Sequence, residues 1–152
     1  MCSTINLIYD NSEGDSFVTR PLQRTSIEEL NNFIKQNQLF LLKKDNETIG
    51  CCHIEADGEV LKFGMLSIFP KCRSQGFGKV LMENIESYAQ TQGFRKLQLT
   101  LLKTLNFIHK HKKFLEDWYT RVGFVFVKED QFPLVNLLAF PCRYDVYEKD
   151  IS

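Results

Sequence analysis

The chain has 152 residues, 43% of them hydrophobic, and its 19 basic and 19 acidic side chains balance. The length suits one domain over 1–152, and thirteen phenylalanines with that apolar content exclude a disordered chain. Neutral net charge argues against a general nucleic-acid binder, and no apolar run reaches the roughly 18 residues of a membrane span.

The first segment, INLIYD (5–10), reads as a strand, broken by NSEGDS. SIEELNNFIKQN (26–37) reads as a helix: Ser26 can cap it, Glu29 stands at the capping-box spacing, and Leu30, Phe33 and Ile34 share a face. Strands follow at 38–44, 48–56 and 59–69, with the Asp57-Gly58 pair as a tight hairpin and Pro70 as the stop. A helix runs from about Gly76 to Gln92, with Val80, Leu81, Ile85, Tyr88 and Ala89 as its buried stripe and Gly93 as its terminator. RKLQLTLL (95–102) is a strand, FLEDWYTRV (114–122) a helix, and 124–129 and 144–149 are the last strands. The expected fold is α/β: a mixed, mostly antiparallel central sheet of about seven strands with flanking helices, two of them in crossovers.

The N-terminal MCSTINLIYD lacks the charged, apolar and small-residue zones of a signal peptide. Five cysteines (Cys2, Cys51, Cys52, Cys72, Cys142) include no C-x-x-C pair, which points to reduced thiols and no metal site. Cytoplasm is therefore the expected compartment.

The most informative stretch is SIFPKCRSQGFGKVLMENI (67–85), in which a β-branched strand, a basic glycine turn and a helix start meet. A helix start carries unpaired N–H groups and a partial positive charge, and glycines let an anion approach the backbone. A diphosphate is the natural occupant; the alternative is a turn that uses Gly76 and Gly78 for geometry alone. A nicotinamide fold would want a third glycine where Leu81 stands, and no G-x-x-x-x-G-K-[ST] phosphate loop occurs.

This stretch resembles the central motif of the GNAT acyltransferase superfamily, Q/R-x-x-G-x-G/A after a strand of L-A-V-x-P type. Arg73, Gly76 and Gly78 fill the signature, and Leu66, Ser67, Ile68 and Pro70 the strand pattern. WYTRVGF (118–124) is similar to the family's L-Y-x-x-x-G-F, with Tyr119, Gly123 and Phe124 in register. The resemblance covers roughly residues 5–150. It implies a GNAT-like fold and acetyl transfer from acetyl-CoA, with no metal, to an amine of a small molecule or peptide; no nucleic-acid or membrane partner is expected. By that resemblance Arg73, Ser74, Gln75, Gly76, Phe77, Gly78 and Lys79 would hold the coenzyme diphosphate. Leu66, Ser67 and Ile68 would bond its pantetheine arm, and an N–H near Ile68 would polarise the thioester carbonyl. Tyr119 occupies the position of the acid that protonates the leaving thiolate.

Two departures stand out. The family's basic glutamate on the long strand corresponds to Lys62, which cannot do a carboxylate's work. Glu55 and a water relay are the substitutes at hand, with Glu59 and His53 as neighbours. The Asn at the start of the next helix corresponds to Lys112. The sequence there resembles a variant subgroup with a basic residue before L-x-x-x-Y, fitted by Lys113, Leu115 and Tyr119. The cluster HKHKK (109–113) is either a phosphate contact, with Lys113 the candidate ligand, or a solvated helix start; a cationic helix start favours some anionic partner. The competing reading of the whole is a catalytically silent coenzyme A-binding sensor or assembly module. The acceptor is expected to be chosen by residues 17–37, which read as one helix and an open cleft, and by 130–142, which read as a flap.

Overall fold

Alternation gives way to helical spacing at the very start of the chain. In the computed structural model, which describes all 152 residues, Cys2–Glu13 is helix α1 and not a strand. Ile5 and Ile8 are buried one turn apart, while Leu7, which a strand would have turned inward, is 55% exposed. Asn6 ties the helix to the loop beyond it: its Oδ1 accepts from the Thr25 N–H and its Nδ2 donates to the Thr25 carbonyl, both at 2.9 Å. That pair ends the loop into α2 (Ile27–Lys35). Ser26 caps α2, accepting from the Glu29 N–H at 3.0 Å, while the Glu29 carboxylate accepts from the Thr25 hydroxyl at 2.6 Å. Two helices therefore precede the sheet, where one was expected.

The sheet has six strands, one fewer than expected because α1 replaces the first. They are β1 (Leu39–Lys44), β2 (Glu47–Asp57), β3 (Val60–Ile68), β4 (Lys96–Thr104), β5 (Val125–Asp130) and β6 (Cys142–Asp150), in the spatial order β1-β2-β3-β4-β6-β5. Helices α3 (Phe77–Thr91) and α4 (Lys110–Arg121) form the crossovers after β3 and after β4. All neighbours pair antiparallel except β3 and β4. No helix is long and apolar enough to cross a membrane.

Two cores lie on opposite faces of the sheet. On one, the α3 stripe of Leu81, Met82, Ile85 and Ala89 packs with Leu61, Phe63, Leu97, Leu99, Tyr119 and Phe124. On the other, Ile5 of α1 and Leu30 of α2 pack on Cys51 and Met65. Each such buried aliphatic side chain contributes about 1.5–3 kcal/mol. Adjacent Cys51 and Cys52 fall in different cores, as strand alternation requires.

Candidate active-site cleft

The site forms where the sheet divides. Strands β3 and β4 pair at only three positions, Val60↔Lys96, Leu61↔Leu97 and Lys62↔Gln98. Beyond Lys62, β3 bulges against β2, where the register shifts and Met65 takes a φ of 53°. The strands then part, and β4 runs on to Thr104 paired only with β6. Phe69 donates its N–H to the Ile49 carbonyl of β2 at 2.8 Å. By alternation the N–H groups of Ile68 and Leu66 point the other way, into the gap. Ser67 is buried, its hydroxyl donating to the Met65 carbonyl at 3.2 Å.

The gap opens into a cleft of about 1160 Å³ that reaches α3, α4 and α1. Its floor is Leu66, Ser67 and Ile68; one wall is Cys72, Arg73, Ser74, Gly76, Phe77, Gly78 and Lys79. Gly76 caps α3 with φ of 80°, a conformation that favours glycine. The N–H groups of Phe77, Gly78 and Lys79 begin the helix and have no carbonyl behind them to bond. A Cβ on Gly78 would project into the cleft, meeting only Trp118 Cζ2 at 3.9 Å. Arg73 donates from Nε to the Ile68 carbonyl at 3.2 Å, tying the turn to the strand end. Gln75 turns back to donate to the Lys71 carbonyl and does not line the cleft.

Tyr119, from the opposite wall, is buried between Phe63 and Phe124, ring centroids 6.1 and 5.6 Å away, with Trp118 at 4.8 Å. Burial pushes its phenol well above the ordinary value, with smaller contributions from Tyr9, Cys52 and Glu13. It is a neutral hydroxyl, able to donate a proton but not to lose one unaided.

Other expectations meet a different geometry. Glu55 is exposed on β2, opposite Lys62 in the strand register, and lines an adjoining cavity of about 440 Å³ together with His53, Asp57 and Asp130. This cavity shares Phe63, Gly64, Leu99 and Tyr144 with the cleft, but Glu55 itself does not line the part that holds Tyr119. Lys62 is held by Asp57 at 2.6 Å. Lys113 lies on the outer side of α4, bonded to Asp117 at 2.9 Å, and does not line the cleft.

Helix α4 starts four residues earlier than the sequence suggested, because His109 caps it: Nδ1 accepts from the Lys112 N–H at 3.4 Å. The anionic company expected for this cationic start comes from the chain itself. Asp15 holds His109 Nε2 at 2.9 and 3.1 Å, and Glu13 lies 3.6 Å from Lys112 Nζ. The segment 131–141 is strapped down by backbone bonds from Val18 to Leu137 and from Ala139 to Ser16. No cluster of His, Cys, Asp or Glu is arranged to hold a metal ion.

Sequence reasoning gave no role to Tyr9 and Glu13 of this cleft, and it placed Lys112 only at the family's Asn position and in the basic cluster, without its inward-facing position. The first two lay in a segment read as strand and break. Lys112 differs, since its distance of seven residues from Tyr119 already puts both on one helical face.

A family model described as "Acetyltransferase (GNAT) domain" matches residues 10–141. No curated relative matches the sequence. Among solved structures, N-acetylglutamate synthase from Neisseria gonorrhoeae, complexed with coenzyme A and N-acetyl-glutamate, is 19% identical with a TM-score of 0.66; the alignment covers 99% of this chain and 32% of that one. A GNAT family acetyltransferase from Elizabethkingia anophelis with acetyl-CoA bound is 17% identical over 82% of this chain and 83% of that one, with a TM-score of 0.65. An aminoglycoside 6'-N-acetyltransferase complexed with coenzyme A is 13% identical over 99% and 90%, with a TM-score of 0.68.

Proposed function

The chain belongs to the GNAT acetyltransferase family, and from that premise we propose that it transfers an acetyl group from acetyl-CoA to a primary amine of a small molecule or peptide. One observation carries the reading. The unbonded N–H groups at the start of α3, the free edge of β3 and Tyr119 all line the same cleft. The first group suits a diphosphate, since oriented dipoles hold it without a full countercharge. The second suits the amides of a pantetheine arm, strand against strand. The third suits the leaving sulfur.

In this proposal Phe77, Gly78 and Lys79 bind the diphosphate through their backbone, with Arg73, Ser74 and Gly76 shaping the turn. Leu66 and Ile68 align the arm, and the Ile68 N–H polarises the carbonyl under attack. The amine nitrogen bonds to the acyl carbon as the C–S bond breaks, and the thiolate takes the Tyr119 proton. Lys113 and Glu55 are given no part in it, Lys113 being held by Asp117 and Glu55 lining the adjoining cavity, and the Gln75 side chain is turned back to Lys71. An amine acceptor is supported by the named products and substrates of the neighbours, an N-acetylated amino acid and an aminoglycoside.

The test is thiol release from acetyl-CoA with a panel of polyamines, aminoglycosides, amino acids and lysine peptides. Tyr119→Phe should lower kcat about a hundredfold and leave the Kd for coenzyme A within about twofold of the wild type. A wild type that binds the coenzyme and releases no thiol with any acceptor is a sensor, and the transfer reading fails.

A further inference from the structure

Transfer to an amine requires a group that takes a proton from the incoming ammonium, and β3 offers Lys62 at the place where the family resemblance implies a carboxylate. Resting on the transfer reading above, we propose that Glu13, at the C-terminal end of α1, is the catalytic base, facing Tyr119 across the cleft and positioned by Lys112.

The helix in place of the expected first strand makes this possible. Tyr9 and Glu13 are one turn apart on α1 and share a face; both line the cleft. Lys112 and Tyr119, two turns apart on α4, line it from the other side. The two helices meet where Glu13 Oε1 stands 3.6 Å from Lys112 Nζ. The Lys112 side chain is 4% exposed and its Nζ makes no hydrogen bond. The Glu13 carboxylate likewise accepts no hydrogen bond within the chain, and its side chain stays 19% exposed. A carboxylate steadied by one cation, yet with its oxygens open, is what an ammonium needs to meet.

Tyr9 on its own helix and His111, Lys112 and Tyr119 on α4 line the same cleft as Glu13, and its charge bears on Tyr9, Tyr119 and His111 as well as on Cys142 at the start of β6. Burial holds the Tyr9 and Tyr119 phenols protonated, so neither competes for the proton. Three other candidate bases are held by their own contacts. Asp15 is taken up by His109, and Glu116 by Lys103 and Tyr147. His53 stacks on Phe33 with a centroid distance of 4.0 Å, its Nε2 sealed from the cavity.

The protons balance. Glu13 takes one from the ammonium and later releases it to solvent. The neutral nitrogen forms its bond to the acyl carbon, the C–S bond breaks, and the thiolate takes the Tyr119 hydroxyl proton. The second proton on nitrogen returns to the Tyr119 oxygen, leaving amide, free thiol and a restored site.

Two nucleophiles separate this from a structural role. n-Butylamine is almost wholly protonated at neutral pH and needs a base; hydroxylamine is largely unprotonated and does not. With acetyl-CoA at pH 7, Glu13→Gln should lower kcat/KM for n-butylamine about a hundredfold or more and for hydroxylamine by less than about threefold. The residual n-butylamine rate should rise with pH in proportion to the neutral amine. The double variant Glu13→Gln/Lys112→Met, which leaves no buried cation unpaired, should show the same split, and Glu13→Asp an intermediate one. Equal losses for both nucleophiles, or none for either, would overturn Glu13 as the base. A wild type that binds coenzyme A and turns over neither nucleophile overturns the transfer reading itself, and this proposal with it.

Discussion

Gly78→Ala tests the diphosphate cradle, because stability and binding should move in opposite directions. The added methyl meets nothing closer than Trp118 Cζ2 at 3.9 Å, an ordinary contact, so the protein needs no rearrangement to accept it. Gly78 is the second residue of α3, and alanine is a better helix former there by about 0.5 kcal/mol. In a domain of this size that raises Tm by roughly 1–2 °C. For the coenzyme the same methyl occupies the approach to the Gly78 amide, and a hydrogen bond to a charged group is worth about 1.5–3 kcal/mol. The expected Kd for coenzyme A is therefore roughly ten- to a hundredfold higher. Titration calorimetry gives the affinity and thermal melting by circular dichroism gives the stability. A raised Tm with unchanged or tighter binding would mean that the diphosphate rests somewhere else, and the reading of the glycine turn as a cradle would be wrong.

Phe124→Ala empties a site that is 1% exposed and leaves Phe63 and Tyr119 without an edge contact; denaturant unfolding should show a loss of about 3–5 kcal/mol. Asn6→Ala removes both hydrogen bonds to the Thr25 backbone and should cost about 1–3 kcal/mol, whereas a strand at 5–10 would feel no such loss at position 6. Burial depresses the pKa of His53, and likewise of His111, below the ordinary 6.5. The unfolded chain then takes up protons that the folded one refuses, so stability is complete above 6.5 and falls as pH drops toward the depressed values. Melting curves across that window should show the fall, and His53→Phe, which keeps the stack on Phe33, should flatten part of it and leave the His111 share; an unchanged slope would remove His53 from the account.

Most of the scaffold was legible because its cues are local. Ser26 with Glu29, the Asp57-Gly58 hairpin and the Gly76-to-Gly93 helix each carry their signal within a few residues, and each element lies where the pattern put it. INLIYD carried two patterns at once. Ile5, Leu7 and Tyr9 alternate as a strand does, while Ile5, Ile8 and Tyr9 follow a helix. What decides between them is the apolar surface of Leu30, Cys51 and Met65, which lies far along the chain and has no trace in the segment itself. The loss of that one strand hid the acceptor-side carboxylate, since a residue in an assumed break has no face. The start of α4 was misplaced for a related reason: a row of cations looks unfit to begin a helix until Asp15 and Glu13 arrive from elsewhere to neutralise it. Lys113 followed the motif spacing, but spacing does not say which neighbour, here Asp117, reaches a charge first.

The three rungs between β3 and β4 make the sheet a pair of jaws. Each strand is nine residues long, so the arms beyond the joint run for about six residues, close to 20 Å, twice the length of the joint. The spacing between the arms is therefore set at the joint, where Leu61 and Leu97 lie deep inside at 2% and 0% exposure, and at the outer strands β2 and β6 that hold each arm.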